Sequence, residues 1–455
     1  MLPALPPVAP VSAETRLSYV LHHFRLAYAD VPAVSIGYAD TQPQIQVADG
    51  AGDFFAETQP YPPAPSYREW LGQSIPFFFD TAPGQPLLMR QPGGRVLVHA
   101  DVIAAAFYLL SGWQEFFSDE RDRHGRFPYS ASVQHRYGFV ALPVVNYYFD
   151  VLKTAVEQVT QQKLRPRRWA GQVPWAAFVT HDIDNLYSAW KAPTKAALRQ
   201  GNLLNAAQLA WQHLTKPDAW DNLAQVRQTV ASYGAKSTFF FLPEHRPGAN
   251  GTPNADYKVS KLWPRLATAI GDSEVGLHAS IGRATHGGNL KREEHRIQHC
   301  TGHDVKGIRF HYLSWEPRMT PTILDSLLFR YDTTLGFAEH FGFRNSYCLP
   351  FHLFDFGQGR QYRFLEIPLN VMDATLFHPS YLQLAPDEIL PALTPMFEQI
   401  EQFGGVCTVL WHNENFDPDN HHNGPREFHT IMEYLRSRQA AFLDGRDICG
   451  EMVKW

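Results

Sequence analysis

From Trp175 onward, short apolar runs alternate with longer amphipathic stretches, and each run ends on polar or titratable residues. The runs are WAAFVT before HDID, STFFFL before PEH, EVGL before HAS, GIRF before HY, FLEIPL before NVMD, and VCTVL before WHNEN. Continuous apolar runs of this length, separated by helical periodicity, predict parallel strands with crossover helices, that is, an α/β fold of the (β/α) barrel kind. In such barrels the chemistry sits at the C-terminal rim of the strands, so the residues closing each run are the first candidates. Between Asp184 and Ser237, LLNAAQLAWQHL and WDNLAQVRQTVASYG predict a helical insertion at about 185–232, long enough to cover the site or a partner surface.

Upstream the texture differs. Residues 1–15 are Pro-rich and are expected to be loose, and RLSYVLHHFRLAYA, starting at Arg16, spaces its apolar residues three and four apart as a helix does. IQVADG reads as a strand and turn, VLVHADVIAAAFYLLSGWQEFF as a strand, an Asp101 cap and a buried helix, and VNYYFDVLKTAVEQV as a further helix. Residues 16–165 are therefore expected to form a smaller α+β domain, with KLRPRRWAGQVP as the linker to a barrel over 172–455. The apolar run Val102–Leu110 is about half of the ~20 residues that a membrane span needs, so no span is expected.

Composition narrows the partners. An apolar content of 44%, with 13% aromatics and 19% charged residues, belongs to a globular chain with ample core. A net charge of −5 without a Lys/Arg cluster argues against nucleic acid or an anionic membrane surface as the main partner, and leaves a small-molecule or carbohydrate substrate. Cys300, Cys348, Cys407 and Cys449 form no CxxC pair and read as buried thiols. The early prolines and the missing basic start with an apolar stretch fail the signal-peptide pattern, so a cytoplasmic location is expected. Oligomeric state is not legible.

Four rim segments carry candidate chemistry. HDID places Asp182 and Asp184 two apart, on one side of an extended segment, where one carboxylate binds a cation and the other acts as base. Alone, a DxD equally describes a helix cap. GLHAS offers His278, a metal-ligand type; GIRFHYLSW brings Arg309, His311 and Tyr312 to a strand end, where an arginine orients a carboxylate and lowers its pKa. His412, in VLWHNENFD, closes a buried run and is placed to protonate a leaving amine, or is a core histidine bonded to backbone.

In this order, THDID, GLHAS, RFHY, YDTTLG and LWH, with GAKSTFFFL at the second strand, residues 172–455 resemble the polysaccharide deacetylase family, the nodulation-protein B homology domain. The whole chain is similar to a bacterial subgroup in which an uncharacterised N-terminal domain precedes the barrel. The resemblance implies a distorted (β/α) barrel and a metal-dependent hydrolase that removes an N-acetyl group from an amino sugar or carbohydrate precursor. It implies Asp182 as general base, Asp184 and His278 as ligands of a divalent metal such as zinc, Arg309 as the residue orienting the base, and His412 as general acid. Tyr312 falls on the tyrosine whose backbone completes the oxyanion site, and Asp332 on the acid that supports the histidine.

Two departures from the pattern matter. Ile183 separates aspartates that are adjacent in the family, and Gly282 stands where a second metal histidine follows His278 by four residues. His311, in place of the proline of Arg-x-Pro-Tyr, is the expected substitute ligand, with His286 as the other candidate. The missing histidine also keeps open a barrel without metal that acts as a carbohydrate-binding or assembly module. A hydrolase of another small amide C–N bond is a further alternative.

Overall fold

Residues 3–248, 251–418, 420 and 425–454 are described by the computed structural model. Among them, nine strands form one sheet. In chain order these are β1 (Ala176–Ile183), β2 (Ser237–Phe241), β3 (Glu274–Ala279), β4 (Gly307–Phe310), β5 (Tyr331–Asp332), β6 (Leu365–Glu366), β7 (Val371–Met372), β8 (Val406–Leu410) and β9 (Ala441–Phe442). The hydrogen-bonded order is β6-β5-β4-β3-β2-β1-β8-β7, with β9 also on β1, and every pairing is parallel. The edge strands β6 and β7 are joined by residues 367–370, so their ends lie no more than about 17 Å apart. A parallel sheet whose two edges are tied this closely has to curl, and the result is a half-barrel with a seam between β6 and β7.

The inner strands are buried along their whole length, which is why they read as continuous apolar runs rather than alternating ones. Close packing shows at Gly276 on β3, where an added Cβ would stand 2.3 Å from the Phe240 ring of β2. Register then fixes the rim: Asp182 lies beside Phe240, His278 beside Arg309, and Leu410 beside both Thr180 and Met372.

The upstream segment contains the expected elements, with one shift. Its first helix runs Ala13–Ala27, starting earlier than Arg16 because Ser12 Oγ accepts from Thr15 N at 3.2 Å. The Pro-rich stretch is also fastened at Ala9, whose N–H donates to the Phe356 carbonyl at 2.8 Å. Strands Ile36–Gly37, Ile45–Val47, Val96–Val98 and Leu88–Arg90 form a mixed sheet, and Asp101 caps the buried helix Val102–Leu110, accepting from Ala104 N at 2.9 Å.

This segment and the half-barrel share one buried hydrophobic cluster. Phe107 meets Phe354 edge-on at 4.9 Å, and Arg344 pairs with Glu115 at 2.6 Å, both buried. The expected linker is anchored too. Arg165–Pro166 pairs with Tyr28–Ala29, and the buried Trp169 indole donates to the Gly404 carbonyl at 2.8 Å. All four cysteines are free, with Cys300 only half-buried. No described helix is long and apolar enough to cross a membrane.

Candidate metal centre and catalytic rim

Alternation along β1 sends Thr180 and Asp182 to one face, where Arg309 Nη1 reaches Thr180 Oγ1 and Asp182 Oδ1, each at 2.9 Å. Arg309 is fully buried; its Nε donates to the Thr333 carbonyl at 2.9 Å and its guanidinium lies 4.8 Å over the Phe240 ring. Its charge and geometry therefore serve Asp182. His181 points the other way, with Nδ1 2.8 Å from the Trp411 carbonyl, and burial drops its pKa to about 4, as for a neutral core histidine.

Asp184, two residues beyond Asp182, meets two imidazoles. Its Oδ1 lies 3.3 Å from His278 Nε2 and its Oδ2 lies 3.4 Å from His311 Nε2, and one donor atom from each of the three residues falls within 4.8 Å of the others. His278 Nδ1 faces the Arg309 carbonyl at 3.0 Å, a bond that takes the Nδ1 proton and turns Nε2 to Asp184, where it donates to the carboxylate or, once deprotonated, offers its lone pair to a cation. Burial works against charge on Asp184, but His311 and His278 outweigh it and hold the carboxyl well below its usual range. The donors suit a divalent cation: one carboxylate and two imidazoles, with Asp184 Oδ1 buried and lacking a hydrogen-bond partner.

Gly282 explains why the second histidine comes from elsewhere. It holds a left-handed φ of +78°, which a histidine there would adopt only under strain, and the adjacent loop is tied away by Asn254 to Ile281 N and Glu293 to Ser280 N. His286 lies in that loop, bonded to Thr285 Oγ1 at 2.8 Å, and is not among the three clustered residues. His311 instead enters from the 3₁₀ turn that follows β4.

One expected role is corrected. Asp332 does not reach His412: it is buried on β5, accepting from Thr334 N at 2.9 Å and Thr334 Oγ1 at 2.7 Å, and burial raises its pKa. The acid beside His412 is Asp373, directly after β7, whose Oδ1 is 2.7 Å from His412 Nδ1. β7 and β8 are paired neighbours and β5 lies five strands away from β8 in the sheet order, so only Asp373 is in range. Burial lowers the His412 pKa, yet Asp373 overrides this and leaves it well above the usual imidazole value. The other ring nitrogen, Nε2, faces Asp184 Oδ2 at 3.8 Å.

Tyr312 has a left-handed backbone, φ 59° and ψ 19°. Its ring stands 4.2 Å from that of His311 and stacks on His124 of the upstream segment at 4.9 Å and 8°. Arg126, paired with Asp122 at 2.6 Å, donates to the Tyr312 carbonyl at 3.0 Å. The loop that carries His124 and Arg126 thus borders the rim. Around these groups lies a cavity of about 1070 Å³, lined by Asp184, Tyr312, Asp373, His412, Glu414 and Asn415 among others. Burial pushes the Glu414 carboxyl up to about 7. Asp373 and Arg126 are the participants that rim position alone did not single out. The signal for Asp373 was present in NVMD, which ends a run as the other motifs do.

Fold and rim together define a curled parallel-sheet protein with an Asp-His-His donor set at its C-terminal edge. Residues 13–161 match a family of unknown function, DUF7033. No curated protein matches the sequence. Among solved structures, one described as a polysaccharide deacetylase from Mycobacterium smegmatis is similar at 15% identity and a TM-score of 0.41, over 64% of this chain and 93% of that one. The allantoinase PuuE is similar at 13% identity and a TM-score of 0.41, over 63% and 93%. A pseudoenzyme of the CE4 family from Bacillus anthracis is similar at 10% identity and a TM-score of 0.31, over 60% and 65%.

Proposed function

We propose that the chain is a metal-dependent hydrolase that cleaves an amide C–N bond, removing an N-acetyl group from an amino sugar or carbohydrate precursor. The observation that carries this reading is the meeting of Asp184, His278 and His311 from three separate rim segments, with Asp182 on one side and His412 on the other. These three residues would hold the metal, zinc being the cation that suits them. A divalent cation bound there supplies Lewis acidity toward the amide carbonyl and toward the attacking water.

The protein's own groups account for the proton movements. Arg309 holds Asp182 Oδ1, so Oδ2, which lies 3.6 Å from His278 Nε2, accepts a proton from the water whose oxygen bonds to the carbonyl carbon. His412, kept protonated by Asp373, donates from Nε2 to the nitrogen as the C–N bond breaks, giving acetate and a free amine. The Tyr312 N–H is the donor for the developing oxyanion, and Arg126 holds the following peptide of the same turn through the Tyr312 carbonyl. Upstream residues 16–165 act as a domain that completes the rim, with the barrel over 172–455.

Asp182→Asn, purified folded and metal-loaded, is expected to lose about 10²–10⁴ in turnover while binding metal normally. Wild-type turnover in that variant would remove Asp182 as the base. Gly282 favours one rival, a carbohydrate-binding module without metal; it predicts no metal under any loading condition, where the enzyme predicts one equivalent lost in His278→Ala. Acetate release separates deacetylation from hydrolysis of another small amide.

A further inference from the structure

Directly after Asp184 the chain leaves the rim as a hairpin of two helices, α1 (Lys191–Arg199) and α2 (Leu203–Thr215). Its base is fastened. The Asp256 carboxylate accepts from the N–H groups of Leu186 and Tyr187, both at 2.8 Å, and from the Ser188 hydroxyl at 2.6 Å, while Trp190 stacks on His213 at 4.7 Å. The two helices bury Ala197 and Ala206. Their large apolar side chains face solvent instead: Leu204 is 87% exposed, Leu214 78%, Leu203 68%, Trp211 67% and Leu198 52%. Leu204, Ala207, Trp211 and Leu214 recur three and four apart, which makes one side of α2 a continuous apolar stripe.

The charge of the hairpin is equally one-sided. From Asn185 to Pro217 the sequence carries Lys191, Lys195, Arg199 and Lys216 and neither aspartate nor glutamate, although the chain as a whole is at −5. These four cations are spread over 26 residues and form no contiguous run, which is why net charge and the lack of a Lys/Arg cluster argued against an anionic surface.

We infer that this hairpin docks the protein on an anionic lipid bilayer, with Leu203, Leu204, Trp211 and Leu214 entering the headgroup–acyl boundary and the lysines and Arg199 meeting lipid phosphates. Exposed leucine and tryptophan beside basic residues is the composition of an interfacial helix. A second copy of the chain fits less well, because its own hairpin carries the same positive charge and would be repelled. Since the hairpin springs from the end of the strand that bears Asp182 and leads into Asp184, docking holds the rim at the membrane surface. The inference stands apart from any reaction at that rim.

The test is co-sedimentation of the full-length protein with vesicles of phosphatidylcholine alone and of phosphatidylcholine with phosphatidylglycerol. Wild type is expected to pellet with the phosphatidylglycerol vesicles, less with phosphatidylcholine, and less again as salt rises. The double variants Leu204→Asp/Trp211→Ser and Lys195→Glu/Arg199→Glu, all at exposed positions, are each expected to weaken binding by roughly tenfold or more at unchanged Tm. Absence of binding to phosphatidylglycerol vesicles, or equal binding by wild type and both variants, overturns the inference. So does a protein dimer in sedimentation velocity that Leu204→Asp/Trp211→Ser abolishes while vesicle binding is nil.

Discussion

Asp373 Oδ1 lies 2.7 Å from His412 Nδ1, and the other oxygen of the same carboxylate accepts from the His412 backbone N–H at 2.6 Å. Asn415 Nδ2 donates to that second oxygen, also at 2.6 Å. One buried carboxylate therefore sets the ring orientation, the tautomer and the charge of His412 together, which is what a proton donor at the rim requires.

Replacing Asp373 by Asn removes the charge that keeps His412 protonated. Turnover of the metal-loaded protein is expected to fall by about 10²-fold or more, with metal content unchanged. Asp332→Asn, which touches Thr334 rather than His412, is expected to change turnover per folded molecule by less than about threefold. Steady-state kinetics on the two variants side by side decides between them, and the reverse order would restore Asp332 as the supporting acid.

Metal content distinguishes the two candidate histidines. Elemental analysis is expected to find one equivalent of metal in wild type, and His311→Ala and His278→Ala are expected to lose it together with the rise in Tm that bound metal would give. His286→Ala is expected to keep both, because its ring is bonded within its own loop. Retention of metal in His311→Ala would show that the cluster is not the binding site.

Arg126→Met keeps the aliphatic stem and removes the charged hydrogen bond to the Tyr312 carbonyl. A lost hydrogen bond of this type costs about 1.5–3 kcal/mol, so kcat is expected to drop roughly 10- to 100-fold with metal content intact. If kcat is unchanged, the upstream loop only packs against the rim and does not organise it.

Glu274, buried beneath the rim, accepts from Thr238 Oγ1 at 2.9 Å and Gly445 N at 2.7 Å, and burial raises its carboxyl from 4.5 to about 7. Below pH 4.5 both folded and unfolded chains hold the proton. Between 4.5 and 7 the unfolded chain releases it while the folded chain keeps it, so this group's contribution to stability falls as pH rises and levels off above 7. The loss is up to about 3 kcal/mol. Glu274→Gln carries no such proton, so the Tm of the variant minus that of wild type is expected to grow from pH 4.5 to pH 8. A difference that stays flat across that range would show that Glu274 does not titrate in this window.

Much of the rim was legible because strand burial and strand ends are local properties. The runs before HDID, HAS and HY are each short enough to be strands and each close on titratable groups, so Asp182, Asp184, His278, Arg309 and His311 stood out without any knowledge of the strand order. The first helix was visible in its spacing but misplaced by a few residues, because the Ser12 side chain, not the apolar period, starts it. Tyr312 showed as a residue type, whereas its left-handed backbone did not.

What the amino-acid order determined by itself is the set of chemical groups and the element end on which each one sits, since both follow from periodicity and burial over a few neighbouring residues. What only the tertiary structure decided is which of those ends meet. Asp373 rather than Asp332 faces His412 because β7 pairs with β8 beside the seam, His311 reaches Asp184 because β4 and β1 lie on one curled sheet, and Arg126 arrives from a segment far upstream. Those meetings depend on strand order and curvature, which arise from contacts between residues hundreds of positions apart, and no local window of the chain encodes them.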